Sequence, residues 1–437
     1  MTPPSDRTTA GPILTPRIAV AGAGAAGTLV ALHLLRAVAR RALGIDGQGA
    51  DDLEIVLIDH AGPMGGSAAF GTDDERHLLN VPASGMSAWP DDPGHFLAWR
   101  NDVLGQATDA YDFVPRRDFA RYLRAMLDAA AEASPTVRLQ IRRNQAVGAT
   151  RTAEGVRLTL DDGSGLDTDA LVVATGLGTP SAEWAPPVLR ASTRFIADPW
   201  APGALDALHA SGDRPGDVLV VGAGLTMIDI VLTHHDTGAG RSIHAISRSG
   251  ALPRRHARRP GPAHRVDTSD WGNRLDAMRE RVDEIVRDSL AEHGDWRPAI
   301  DGLRPSTASL WARLSEDDRA TFLAHDAGAW NRARHRTPRS STDQLAALAA
   351  DGRFDLTAAR VRAVEPLADG GLRVGLDDGS SHEVSWVVNA AGPRTDVATL
   401  GNPLLDNLLE QGLATPATAG MGFWTDDGQL VDHRGTA

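Results

Sequence analysis

The chain has 437 residues, 42% hydrophobic and 23% charged, an ordinary globular composition and enough chain for two or three domains. Its formal net charge of −13 argues against nucleic acid as a general partner, which needs a basic footprint. It has no cysteine, and all 44 of its basic residues are arginine, so disulfide scaffolds, thiolate metal sites, redox C-x-x-C pairs and lysine Schiff bases are excluded.

The opening MTPPSDRTTAGPILTPR lacks the long apolar run of a signal peptide. No window reaches the roughly 18 apolar residues of a membrane span. The expectation is a cytoplasmic protein without a membrane partner. A buried-strand pattern over Ile18–Ala21 runs into a glycine turn, and an apolar-periodic helix starts near Ala26. Gly22, Gly24 and Gly27 fit G-x-G-x-x-G in the strand–turn–helix setting that a dinucleotide loop requires. The next strand, LEIVLID at 53–59, ends in Asp59, an acid placed to bond a ribose hydroxyl. Residues 44–52, GIDGQGADD, read as a loop inserted between that helix and strand.

Residues 190–216 are rich in Pro and Gly and suit a hinge. The design then repeats. Strand Val218–Val221 leads to Gly222 and Gly224, a helix passes through Met227 and Ile230, and SIHAISRS at 242–249 forms the following strand. Met227 stands where the third glycine belongs. That position governs helix–strand packing rather than phosphate contact, so the loop remains a candidate. A charged, tryptophan-containing helical stretch runs from about 270 to 350 and reads as an insertion.

A second repeat fixes the order. GVRLTLDDGSGLDTDALVVATG at 155–176 and GLRVGLDDGSSHEVSWVVNAAG at 371–392 both run strand, DDGS turn, strand, then a valine pair before A-x-G. Each loop is therefore followed by its own β-meander and closing strand. This predicts an α/β chain of two Rossmann-like dinucleotide-binding domains, one for a flavin and one for a nicotinamide. The expected boundaries are 1–190 for the FAD-binding domain, completed by about 385–437, and 191–384 for the NADPH-binding domain, with the helical insertion at about 262–350.

AGAGAAGTLVALHLLR, HLLNVPASGMSAWPDDPGHFLAW, FVPRRDFARYLRAML, VLVVGAGLTMIDIVL, ALPRRH, WNRARHR and VVNAAGPRTD together give a family likeness. The chain resembles the bacterial FAD/NAD(P)-binding proteins that include nitrosuccinate-forming aspartate N-monooxygenases, within the two-dinucleotide-domain flavoprotein monooxygenases. The segments span most of the chain from 18 to about 430, and HLLNVPASGMSAWPDDPGHFLAW is the most specific. The F-x-G-x-x-x-H motif of Baeyer–Villiger enzymes is absent, the corresponding stretch reading FIADPWA. The lysine that siderophore N-hydroxylases turn toward substrate has no counterpart.

On this reading Gly22, Gly24 and Gly27 hold FAD with Asp59 on its ribose, and Gly222 and Gly224 hold NADPH. Ser247 and Arg248 end the strand without an acid, which favours a 2′-phosphate, and Arg254 and Arg255 are placed to help. The resemblance implies that Asn80, Met86 and Trp89 line the flavin or substrate cavity. Arg116 or Arg117 is placed to reach the FAD phosphates or a substrate carboxylate, Arg117 being assigned to the cofactor; Arg394 is a further candidate anion ligand in the catalytic site, and Gly392, in the A-A-G turn before it, is a candidate cofactor contact. His234 and His235 are adjacent and point apart on a helix, and no H-E-x-x-H or G-x-S-x-G occurs, so neither a metal nor a serine hydrolase is expected.

With no cysteine pair to accept electrons, the reading is an NADPH-using, FAD-dependent monooxygenase. The resemblance implies N-oxygenation of a small amino acid or amine through a flavin hydroperoxide, with O2 and a small molecule as partners, in a monomer or homo-oligomer. Two rivals stand beside it: an NADPH-dependent flavin reductase or dehydrogenase without oxygen insertion, and a low-turnover FAD/NADP-binding protein, suggested by the chain's end at LVDHRGTA.

Overall fold

The computed structural model describes residues 15–42, 52–67, 69–209, 216–236, 241–259, 261 and 264–436. The N-terminal stretch without a signal-peptide pattern, nearly all of the 44–52 loop and the end of the 190–216 hinge lie outside these residues. The chain forms two compact units. The first comprises residues 1–71, 118–176 and 402–413, and the second 72–117, 177–401 and 414–437.

In chain order the first unit opens with β1 (Arg17–Ala21), α1 (Ala25–Ala42) and β2 (Leu53–Ile58). Residues of the second unit follow, with α2 (His95–Val103). The chain returns through α3 (Arg116–Glu132) to β3 (Val137–Arg142), β4 (Ala146–Arg151), β5 (Val156–Leu160), β6 (Gly165–Thr168) and β7 (Ala170–Val173). Strands β3, β2, β1 and β7 make a parallel sheet in that order, and β4, β5 and β6 a separate antiparallel meander. Ala19, Val20, Ile55, Val56 and Leu57 are fully buried, as expected for parallel strands covered on both faces.

The second unit continues through α4 (Pro187–Arg190), β8 (Phe195–Ile196) and α5 (Asp206–His209) to β9 (Asp217–Val221), α6 (Leu225–Asp236) and β10 (Ile243–Ser247). The helical insertion follows, α7 (Leu275–His293), α8 (Arg297–Gly302), α9 (Thr307–Arg313), α10 (Glu316–His325), α11 (Ala327–Arg334) and α12 (Arg339–Ala350). Then come β11 (Phe354–Ala358), β12 (Val361–Pro366), β13 (Leu372–Leu376) and β14 (Ser381–Asn389). The last helix, α13 (Pro403–Glu410), belongs to the first unit, where Asn407 Oδ1 accepts the Ala149 amide of β4 at 2.8 Å.

In the second unit the strands run β11, β10, β9, β14, β13, β12. The two meanders close differently. In the first, Asp169 separates β6 from β7. In the second, β14 is a single nine-residue strand. Its first half pairs antiparallel with β13, and Val387 and Val388 pair parallel with Phe195 and Ile196 of β8. The Pro- and Gly-rich stretch expected as a hinge therefore also supplies a strand. Among the described residues no helix is long and apolar enough to cross a membrane.

Candidate functional site: two glycine cradles

Each unit carries the same turn, built the same way. In the first, the Gly22 amide donates to Ile58 O at 2.8 Å and the Ala174 amide to Ala21 O at 2.8 Å. In the second, Gly222 donates to Ile246 O at 2.8 Å and Ala390 to Val221 O at 2.8 Å. Gly22 has φ +104° and Gly222 φ +126°, values that L side chains rarely adopt. A Cβ at Gly22 would sit 2.2 Å from Ala174 O, and one at Gly222 2.1 Å from Ala390 O.

Gly24 and Gly224 differ from their neighbours. A Cβ at either would meet nothing within 4 Å, so these glycines leave space beside the backbone rather than relieve a clash. Each space lies at the start of a helix, α1 or α6, where unpaired amides and the helix dipole favour an anion. Both cradles thus fit a dinucleotide pyrophosphate.

The third position separates the two. A Cβ at Gly27 would lie 1.9 Å from Gly22 O, so α1 packs directly on the turn. Met227 in α6 is fully buried and packs in the core cluster with Val218, Val220 and Ile230. A side chain fills the gap that the glycine closes in the first unit.

Strand ends distinguish the loops as well. Asp59 and Ser247 occupy equivalent positions, each following the residue whose carbonyl takes the loop amide. Asp59 Oδ2 accepts the Ala23 amide at 2.9 Å and Oδ1 the Ala61 amide at 2.9 Å. It braces the loop, and each oxygen keeps a further lone pair for a hydroxyl. Ser247 Oγ accepts the Gly250 amide at 3.0 Å, and Arg248 beside it is exposed. Arg254 stacks over Trp296 with 5.4 Å between its guanidinium carbon and the ring centre, and Arg255 pairs with Asp343. Both therefore engage the helical insertion.

A feature the motifs do not show is the GPMGG turn after Asp59. Met64 adopts φ +63°, its amide donates to Ala23 O at 2.8 Å, and its side chain is 1% exposed. A non-glycine residue held in this region marks a backbone fixed by its surroundings.

The other sequence candidates, Asn80, Met86, Trp89, Arg116, Arg117, Gly392 and Arg394, lie in the second unit. The 77–90 segment runs antiparallel to 110–116, with the Leu79 amide on Val114 O at 2.8 Å and Ala83 on Asp112 O at 2.9 Å. Asn80 O accepts from His256 Nε2 at 3.0 Å. Met86 and Trp89 are half-buried. Arg394 donates to Thr399 O at 2.8 Å, and Gly392 O takes the Ser181 amide at 3.3 Å. Arg117 reaches Asp73 O and Glu75.

Arg116 lies 3.1 Å from Asp229 of α6 and stacks over Trp200 at 4.9 Å. The three candidate anion ligands share one property: Arg116 Nε, Arg117 Nε and Arg394 Nε are buried without a hydrogen-bond acceptor among the described residues, whereas Arg116 Nη2 is the atom paired with Asp229. Buried donors left unpaired are costly unless a ligand meets them.

Beside Arg116 sits a network that no motif announces. His77 is 2% exposed, with Nδ1 2.7 Å from Thr72 Oγ1 and Nε2 2.8 Å from Thr233 Oγ1. Thr233 donates to Asp74 Oδ2 at 2.6 Å, so it accepts from Nε2–H, and His77 is the neutral Nε2–H tautomer. Burial, with the Arg116 charge, pushes His77 down to about 4. Burial opposes the Asp74 charge, yet hydrogen bonds from Arg76 and Thr233 outweigh it and hold Asp74 far below the usual carboxylate range. Asp229 has burial and the Asp74 charge against it, only partly offset by Arg116, and is pushed up to about 7. On the surface of the insertion, the exposed His264, Glu292 and His293 bring potential ligand atoms within 4.8 Å of one another. Sequence spacing conceals this group because His264 comes from a separate loop.

Two βαβ units with paired glycine cradles, each with its meander, define a two-dinucleotide-domain α/β protein. Residues 19–178 match the profile of a family described as FAD-NAD(P)-binding. No curated protein sequence matches the chain. Among solved structures, the reduced form of ornithine hydroxylase from Pseudomonas aeruginosa is 17% identical with a TM-score of 0.55, covering 95% of this chain and 90% of its own. The ornithine N-hydroxylase of Kutzneria sp. 744, determined with reduced FAD, NADP+ and L-ornithine, is 15% identical with a TM-score of 0.55, covering 97% and 90%. L-Lysine 6-monooxygenase from Pseudomonas syringae is 16% identical with a TM-score of 0.50, covering 93% and 86%. The chain shares the fold of these enzymes.

Proposed function

We propose that the protein is a FAD-dependent, NADPH-using monooxygenase that N-oxygenates a small amino acid or related amine. The observation that carries this is the pair of open cradles at Gly24 and Gly224, one per unit, in a fold shared with ornithine and lysine N-hydroxylating enzymes. Bound FAD supplies the electron transfer and oxygen activation, with NADPH as reductant.

This chain's residues have simpler tasks. The amides at the starts of α1 and α6 hold the two pyrophosphates, and Gly22 and Gly222 give the backbone the turn that exposes them. Asp59 holds the first loop's shape through Ala23 and takes the adenosine ribose. Ser247 and Arg248 receive the 2′-phosphate of NADPH. The unpaired donors of Arg116, Arg117 and Arg394 are the candidates for a substrate carboxylate, since no lysine exists to take that part. A guanidinium there orients the carboxylate and aims the amine at the reacting centre. Asn80 and Trp89 complete the proposed pocket, and the amine must arrive neutral, so the rate rises with pH through the bound amine's pKa.

The test is NADPH oxidation by FAD-loaded protein over a panel of amino acids and amines, aspartate first, with and without O2, the products identified by mass. The reading predicts O2-dependent oxidation accelerated by one amine and a product one oxygen atom heavier, or a further oxidation product of it. Turnover accelerated only by a ketone, sulfide or quinone contradicts it. Oxidation that proceeds equally without O2 favours the reductase reading.

A further inference from the structure

The helical insertion contains an apolar cavity of about 450 Å³. Trp271, Leu275, Met278, Leu303 and Leu314 are its buried walls, and Trp311 and Trp330 also line it. The polar groups lining it are Arg279, Asp283, Thr307 and Asp326. The cavity is open to solvent on one side, and its size lies within the range of small-molecule sites, about 300–1,000 Å³.

The charges fix the ligand class. Arg279 is committed, its Nη2 2.6 Å from Asp326 and its Nη1 3.0 Å from Asp276. Asp283, one turn further along α7, is exposed and has no ion pair among the described residues. The lining thus carries two carboxylates against one guanidinium, which favours a cation, and the indole and aliphatic walls suit an apolar body.

We infer that this cavity binds an apolar amine, with the hydrocarbon body among the tryptophans and the ammonium toward Asp283. The site stands independently of the reaction proposed above, because binding here needs neither cofactor nor turnover. The experiment titrates the full-length protein with octylamine, octanoate and octanol, reading tryptophan fluorescence and the thermal midpoint. Octylamine should bind saturably and raise the midpoint, with octanoate at least about tenfold weaker, the ratio expected from about 1.4 kcal/mol of charge preference. Asp283→Arg, at an exposed position that leaves the fold intact, should remove the preference for the amine. Met278→Trp should narrow the cavity and weaken binding of all three. Absence of saturable octylamine binding, equal affinity for octylamine and octanoate, or an unchanged preference in Asp283→Arg would each overturn the inference.

Discussion

Glycine performs two different tasks within three residues of each loop. At Gly22 and Gly222 the backbone needs it, because φ is positive and a carbonyl lies where a Cβ would go. At Gly24 and Gly224 the backbone does not need it, and a Cβ there would meet nothing within 4 Å, which leaves the space that the proposed pyrophosphates require. The motif in the sequence cannot separate these tasks, since both positions read simply as glycine. A similar contrast holds at the strand ends, where Asp59 in one unit corresponds to Ser247, followed by Arg248, in the other. A carboxylate repels a 2′-phosphate, and a hydroxyl with a guanidinium receives it. Losing one charge-assisted phosphate contact costs roughly 1.5–3 kcal/mol. Arg248→Ala should therefore raise the KM for NADPH about ten- to a hundredfold and leave that for NADH nearly unchanged. Equal losses for both nucleotides in steady-state assays would assign Arg248 a general role instead.

Helix α6 shows how an element absorbs a departure from its motif. Met227 is fully buried among the valines of β9, so restoring the motif glycine should not improve the loop. Met227→Gly removes a buried side chain and places glycine inside a helix, and should cost about 3–6 kcal/mol in chemical unfolding. A variant as stable as the parent, or tighter for nucleotide, would refute this packing role. The same helix carries Asp229 into the His77 network, whose parts titrate in opposite senses. His77 is depressed to about 4, so its stabilisation is present above its unfolded pKa, near 6.5, and is lost as pH falls toward 4, on the order of 3 kcal/mol. Asp229 is raised to about 7, so stability is greatest below its unfolded pKa and declines as pH rises from about 4 to 7. The two offset each other over one window. In Asp229→Asn the unfolding midpoint should therefore fall more steeply on acidification from pH 6.5 to 4 than in the parent. An unchanged slope would mean that Asp229 is ionised throughout.

Across the molecule, legibility followed distance along the chain. Each βαβ turn and each DDGS meander is built from neighbouring residues, so local periodicity revealed them; the positive φ shared by Gly176 and Gly392 is a further match that the structure adds. The pairing of β8 with β14 joins residues nearly two hundred positions apart, and a two-residue strand carries no pattern of its own. The His77–Thr233 and Arg116–Asp229 contacts are likewise long-range pairings of common residue types. Met64 gave no sign of its left-handed backbone because glycine, the usual marker, stands beside it. On the reading proposed above, one chain holds two dinucleotides, FAD in the first cradle and NADPH in the second. The most direct test compares Gly24→Asp with Gly224→Asp, measuring flavin occupancy by absorbance and NADP+ affinity by calorimetry. Each substitution drives a carboxylate into one pyrophosphate space and leaves the other alone. The expected outcome is a crossed pattern, in which Gly24→Asp is colourless and Gly224→Asp stays yellow but no longer binds NADP+. Full flavin occupancy in Gly24→Asp, or loss of flavin from Gly224→Asp, would contradict it.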